Sequence, residues 1–200
     1  MLILAGAVSI VNATTFRFDT DPFAGSDALT TPGRQVLGGE TAISFNIASD
    51  IFSLESTVFN AGNEVLFANN VAGSLPTSGV NIIVLQTFDN DSNLATTFGA
   101  GNAANLIAAQ ITSPGAGFFI YFNSGLDLPR LVYSTDLNDA TADLKILFRM
   151  INLTGNAGRA AIPTFTESNF EITTVPLPPT VWLLGSGLLG LAGWRRFRKV

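Results

Sequence analysis

The sequence predicts an all-β fold: a single antiparallel β-sandwich of jelly-roll type with one short helix, followed by a C-terminal transmembrane helix. Three observations carry that expectation. Short apolar runs recur along the chain, several of them alternating apolar and polar residues as a half-buried strand requires. Clusters of Gly, Pro, Asn and Ser separate the runs, as turns do. The last stretch before the C-terminus, from Thr180 to Trp194, contains no ionisable side chain and is followed at once by Arg195, Arg196, Arg198 and Lys199, a pattern that suits a membrane span better than a soluble core.

Taken in order, Thr15 to Asp19 alternates, and Ile43, Phe45 and Ile47 face one way against Ser44 and Asn46. Glu64 to Ala68 and Val80 to Phe88 continue the series. Asn102 to Gln110, with Ala103, Ala104, Leu106 and Ile107, suits the single short helix. Phe118 to Phe122 is apolar on both faces and is therefore expected as a central, doubly covered strand. Arg130 to Thr135 follows. In Leu144 to Ile151 the residues Leu144, Ile146, Phe148 and Met150 are expected to face inward while Lys145 and Arg149 face water. Phe170 to Val175 closes the domain. Turns are expected at Pro22, Pro32-Gly33, Gly38-Gly39, Pro76, Ser113 to Gly115, Asn123 to Gly125 and Asn156 to Gly158.

These elements divide the chain into three parts: a signal-peptide remnant at 1–13, an exported sandwich domain at 14–174 and a tail at 175–200. Leu2 to Val11 is apolar with small residues, and Val11 and Ala13 fill the two positions that a signal peptidase inspects, so cleavage is expected after Ala13. No Lys or Arg precedes Arg17; the true start is therefore expected upstream of Met1. In the tail, a helix from Thr180 to Trp194 would rise about 22 Å, less than the roughly 30 Å of a hydrocarbon core. Reaching back to Val175 makes up the length but takes in Pro176, Pro178 and Pro179, which suit a stem or a first helical turn. The four basic residues beyond Trp194 act as a stop-transfer signal that keeps the tail end cytoplasmic.

The order Val175-Pro176-Leu177-Pro178, apolar Leu- and Gly-rich segment, and terminal Arg-rich cluster resembles the PEP-CTERM sorting domain of Gram-negative bacteria. The resemblance implies export, transient anchoring in the inner membrane, and processing at the tail by an exosortase, a membrane cysteine transpeptidase. The family's namesake Glu is Leu177 here, a variant stem. Stretches 20–40, 98–147 and 153–170 also resemble a group of exported proteins that carry the same tail. The setting implied is the cell surface or extracellular matrix, in association with biofilm or exopolysaccharide.

Composition narrows the chemistry of the domain. All 15 acidic residues lie in 14–174, against six basic ones (Arg17, Arg34, Arg130, Lys145, Arg149 and Arg159), which gives the domain a net charge of −9, where the whole chain has −5. Such a surface repels nucleic acid and anionic lipid. With no Cys there are no disulfides, and with no His there is no Ser-His-Asp triad and no His-containing metal site. An enzyme is therefore not expected, although two carboxylates alone suffice for glycoside hydrolysis.

No cofactor is expected, with one candidate exception. Asp89, Asp91 and Asn93 place oxygen side chains at alternate positions as the opening of a calcium loop does, but Leu94 and Ala100 stand where an EF-hand needs Gly and Glu. A solvated loop is the competing reading. Gly99 to Ala104 matches a loose dinucleotide fingerprint but lacks a strand directly before it. Abundant Asn, Ser and Thr with Tyr121 or Tyr133 exposed would suit a glycan-binding face, and a glycan-binding module or carboxylate-dependent enzyme is the alternative to a structural or adhesive role. The partners expected are signal peptidase, exosortase, the membrane before processing, and exopolysaccharide.

Overall fold

The computed structural model describes residues 12–174. Within them ten strands form two sheets. Three strands, β1 (Thr15–Phe18), β4 (Ile51–Glu55) and β10 (Phe170–Thr173), make a small sheet in the order β1-β4-β10. The large sheet has the order β2-β9-β8-β7-β6-β5, built from β2 (Val36–Leu37), β5 (Phe67–Asn70), β6 (Ile82–Leu85), β7 (Gly117–Asn123), β8 (Leu128–Ser134) and β9 (Leu144–Met150); β3 (Thr41–Ile43) also pairs with β9. The mostly-β class is as expected, with the two sheets sharing one core.

The antiparallel expectation is corrected. Only β7 with β8 and β8 with β9 run antiparallel; β1 and β10 against β4, β2 and β3 against β9, and β5-β6-β7 are parallel. Turn residues between strands announce that the chain changes direction and say nothing about where it returns. A parallel return needs a long connection, and those connections are present: residues 86–116 join β6 to β7 and carry helix α2 (Ala100–Ala108).

The core explains the layering. On one face of the large sheet Ile82, Val84, Phe118, Ile120 and Leu131 meet Phe52 and Leu54 of β4 and Phe170 of β10. On the other, Ala103, Ala104 and Ile107 of α2 cover Ile83, Leu85, Phe119, Tyr121 and Ile146. Strand β7 is therefore apolar on both faces because both faces are covered, as its sequence predicts. Phenylalanine rings fill the inter-sheet space: Phe45 stacks on Phe52 at 4.3 Å, and Phe59 meets Phe118 and Tyr133 edge-on at 4.9 and 4.8 Å.

Strand β9 departs from the expected single inward face. Leu131 pairs with Phe148 and Val132 with Ile146, so Leu147 is an extra residue, a β-bulge. The bulge reverses the alternation: Leu144 and Ile146 point to α2, whereas Leu147, Phe148 and Met150 point to the small sheet. Lys145 is half-buried and Arg149 exposed.

The single expected helix becomes three short α-helices with 3-10 turns between elements. Besides α2, which starts two residues before the expected Asn102, there are α1 (Ser56–Phe59) and α3 (Gly155–Ala161). The α3 segment reads as a turn because Gly155, Asn156 and Gly158 are poor helix formers. The segment packs closely all the same: a Cβ on Gly158 would overlap the Leu153 carbonyl oxygen and sit 3.1 Å from the Phe122 ring. The expected transmembrane helix lies outside the described residues; among those described, no helix is long and apolar enough to cross a membrane.

Asparagines do much of the stapling that disulfides would otherwise do. Asn81 accepts from the Leu66 N–H at 2.8 Å and donates to the Ala61 and Glu64 carbonyls at 2.7 and 2.8 Å. Asn169 donates to the Ile47 and Asp50 carbonyls, and Asn152 exchanges both of its amide hydrogen bonds with the Phe45 backbone. Each such amide satisfies backbone groups that burial would otherwise leave unpaired.

Both tyrosines of the chain are buried, Tyr121 at 0% and Tyr133 at 6% exposure, so the expectation of an exposed Tyr121 or Tyr133 is corrected. Burial, with a smaller effect from Asp21, pushes the Tyr133 phenol up to about 12, and burial likewise raises Tyr121. Tyr133 donates to the Phe59 carbonyl at 2.7 Å. The fold thus favours the neutral phenol, and the stability it adds is complete below the unfolded value of about 10 and lost as pH rises from there through about 12. An alkaline titration followed by tyrosinate absorbance is expected to show no ionisation in the folded protein near pH 10, then an abrupt rise on unfolding. Smooth ionisation near pH 10 with the fold intact would contradict this burial.

Candidate functional site

The first and last strands of the described domain flank one strand, β4. β1 begins two residues after Ala13, β10 ends at Thr173, one residue before the tail, and both pair in parallel with β4, from Thr15 against Ile51 to Thr173 against Glu55. Because the pairing is parallel, the chain enters at one end of the small sheet and leaves at the other.

At the entry end, Asn12 and Ala13 are exposed and irregular. Thr14 donates its N–H to Asp50 Oδ1 at 2.9 Å, and its carbonyl accepts from the Ile51 N–H at 3.0 Å. Asp50 is buried, with Oδ2 accepting from the Asn46 N–H at 2.8 Å.

At the exit end, the buried Glu55 carboxylate accepts from the Thr173 hydroxyl at 3.2 Å, from the Thr57 hydroxyl at 3.3 Å and from the Arg17 guanidinium at 3.5 Å. Arg17 also pairs with Asp19 at 3.0 Å. The Thr173 hydroxyl at the end of β10 is therefore tied to the central strand of the small sheet. Asp50 and Glu55 both escape a sequence reading. The partners that tie them to β1 and β10 lie far off in sequence, Thr14 at 36 residues from Asp50 and Thr173 at 118 from Glu55, and within β4 the signal is the alternation of Phe52 and Leu54 against Ser53 and Glu55. Val175, Pro176, Leu177 and Pro178, with Arg195, Arg196, Arg198 and Lys199, lie outside the described residues.

The calcium candidates Asp89, Asp91 and Asn93 lie together in an exposed loop, and the loop uses their oxygens itself. Asp89 Oδ1 accepts from the backbone N–H groups of Asp91 and Ser92, Asp91 Oδ1 from Asn93, and Asn93 Oδ1 from Ala95. The Thr96 hydroxyl, donating to Asp91 Oδ2 at 2.7 Å, is the main reason that the Asp91 carboxyl is held below its ordinary value. Among the described residues no group of three acidic side chains is arranged to hold a metal ion.

The loose dinucleotide fingerprint does lie in a parallel β-α-β unit, but β6 ends at Leu85 and fourteen residues intervene before α2. The guanidinium of Arg34 occupies the first turn of α2, donating to the Gly101 carbonyl at 2.8 Å and Asn105 Oδ1 at 2.9 Å. A second partly buried cation, Arg130, pairs with Glu40. Burial pushes the Glu40 carboxyl up, but its own backbone N–H, the Arg130 hydrogen bond and the charges of Arg130 and Arg149 outweigh this and hold it below the ordinary range.

An open cleft of about 620 Å³ lies between the 46–48 loop and the segment after α3, with Asn46, Ile47, Asn152, Thr164, Thr166 and Ser168 among its lining. No charged residue lines it. The Thr166 and Ser168 hydroxyls hydrogen-bond each other at 2.8 Å, while the Asn152 side-chain amide accepts from and donates to the Phe45 backbone.

A disulfide-free acidic sandwich that leads from its last strand into a proline stem, an apolar segment and a basic cluster has the layout of an exported protein carrying its own sorting tail. Residues 174–199 match the family model of the PEP-CTERM protein-sorting motif. That motif marks an exported protein sorted by an exosortase. No curated protein and no solved structure matches the chain.

Proposed function

We propose that the protein is a structural or adhesive component of the cell surface or extracellular matrix, associated with biofilm or exopolysaccharide, from which signal peptidase removes the leader after Ala13 and exosortase removes the tail. The observation that carries this role is the sorting motif at 174–199 set directly against β10. The tail would anchor the protein in the inner membrane until it is cut. The folded domain favours a non-catalytic part. Its sequence has neither His nor Cys, and each of three clefts on its surface holds at most one carboxylate, Glu64 in one and Glu167 in another. Two suitably spaced carboxylates are the minimum for glycan hydrolysis. No cofactor enters this role.

A glycan-binding role is the second reading, favoured by the neutral, hydroxyl- and amide-lined cleft. The exported protein is expected to co-sediment with exopolysaccharide from its own host. If the cleft is the contact, the pair Thr166→Val and Ser168→Ala lowers the bound fraction several-fold. Unchanged binding would assign the association to another surface, and no binding by the wild-type protein would remove the exopolysaccharide association altogether.

A further inference from the structure

The Asp50 carboxylate is buried, 4% exposed, and its side-chain donors are all neutral: the Thr14 N–H at 2.9 Å, the Ser49 hydroxyl at 3.1 Å and the Asn46 N–H at 2.8 Å. The cations of the surrounding elements are committed elsewhere. Arg17 of β1 pairs with Asp19 and Glu55, and the other ion pairs among the described residues are Arg130 with Glu40 and Arg159 with Asp127. The remaining charged groups on these elements, Glu167 and Glu171, are acidic. A buried carboxylate without a counter-ion is costly. Thr14 cannot drift from it, because its own carbonyl is held by the Ile51 N–H and the next residue opens the β1-β4 ladder.

We propose that cleavage after Ala13 converts the Thr14 nitrogen into the counter-ion that Asp50 lacks. Water adds across the Ala13–Thr14 peptide bond in the signal peptidase, Ala13 leaves with the new carboxylate, and the Thr14 amine takes up a proton. The neutral hydrogen bond to Asp50 becomes a charge-assisted one, roughly twice as strong. Removal of the leader thereby fastens β1 to β4, so the small sheet reaches full stability only in the processed protein. This inference rests on cleavage after Ala13, as part of the proposed export route.

The pH dependence has a definite sign. An α-amine has an ordinary value of about 7.7–8.0, and a carboxylate partner raises it in the folded state. The added stability is then complete below that range and is lost as pH rises through the raised value.

The test compares melting temperatures of exported, processed protein from the full-length gene, with each mature N-terminus read by mass. Three chains are compared: the wild type, Asp50→Asn, and one with Thr-Ser inserted between Ala13 and Thr14. The insertion keeps every hydrogen-bond partner but moves the ammonium away. At pH 6 the wild type is expected to melt about 2–4 °C above the insertion variant, and the gap to close by about pH 10. Asp50→Asn is expected to lose the same pH-dependent increment; should it fail to fold, the insertion variant decides alone. Equal melting of wild type and insertion variant at all pH values, with the wild-type chain beginning at Thr14, would overturn the ion pair and leave the cleavage site standing. A mature chain beginning at another residue would overturn both.

Discussion

Replacing Phe52 with alanine is expected to destabilise the domain by about 3–5 kcal/mol, a large share of a typical domain's stability. Phe52 is fully buried at the centre of the small sheet. Its ring stacks on Phe45 at 4.3 Å and lies within 5.5 to 6.2 Å of Phe148, Phe170 and Phe16. One side chain therefore joins β4 to both outer strands of the small sheet and to the bulged part of β9. The cavity left by truncation has no flexible neighbour to fill it, since those contacts are rings held in strands or in the core. Total stabilities run to about 5–15 kcal/mol, and the sequence has no Cys for a covalent brace. Urea denaturation of the purified wild type and variant measures the difference. A loss below about 1 kcal/mol, the usual cost of a generic substitution, would mean that the ring cluster is not the centre of the core.

The other large effect is functional and falls on the tail. Changing Arg195, Arg196, Arg198 and Lys199 together to serine is expected to abolish most tail processing. Under the proposed anchoring each basic residue would resist passage through the bilayer by about 2.5–3.5 kcal/mol, so four would contribute about 10–14 kcal/mol to holding the end on the cytoplasmic side. An apolar segment of marginal length has little else to retain it. Neutralised, it passes through the translocation machinery, and the precursor leaves the inner membrane uncut. Immunoblots of membrane and exported fractions are expected to show at least a tenfold fall in the processed form. Normal processing of the serine variant would show that retention does not depend on these charges.

The difference between what the sequence announces and what it hides follows from the range of each interaction. The two covered faces of β7 are written in Phe118 to Phe122, because burial acts on each side chain where it stands. Helix α2 is legible for the same reason, through Ala103, Ala104 and Ile107. Strand β4 escapes notice although Phe52 and Leu54 alternate with Ser53 and Glu55: five residues ending in a carboxylate make a weak local signal, and only β1 and β10, far away in sequence, make the strand central. Parallel pairing is likewise a property of connections, and the Leu147 bulge, which sends one strand's side chains to two different cores, is fixed by the register of β8. Asp50 and Glu55 look like ordinary surface acids until the fold brings Thr14, Arg17 and Thr173 to them. In contrast the sorting motif is legible in the sequence, since its stem, apolar run and basic end follow one another along the chain.

Trp182 and Trp194, the chain's two tryptophans, both belong to the tail, which gives the central claim a simple optical companion to its direct test. That test is the intact mass of the mature protein recovered from its native host. The expected mass is that of a chain beginning at Thr14 and ending in or before the proline stem, with a modified C-terminus and no tryptophan emission. A mature, exported protein that still carries residues 175–200 would contradict exosortase processing and make the tail a permanent anchor.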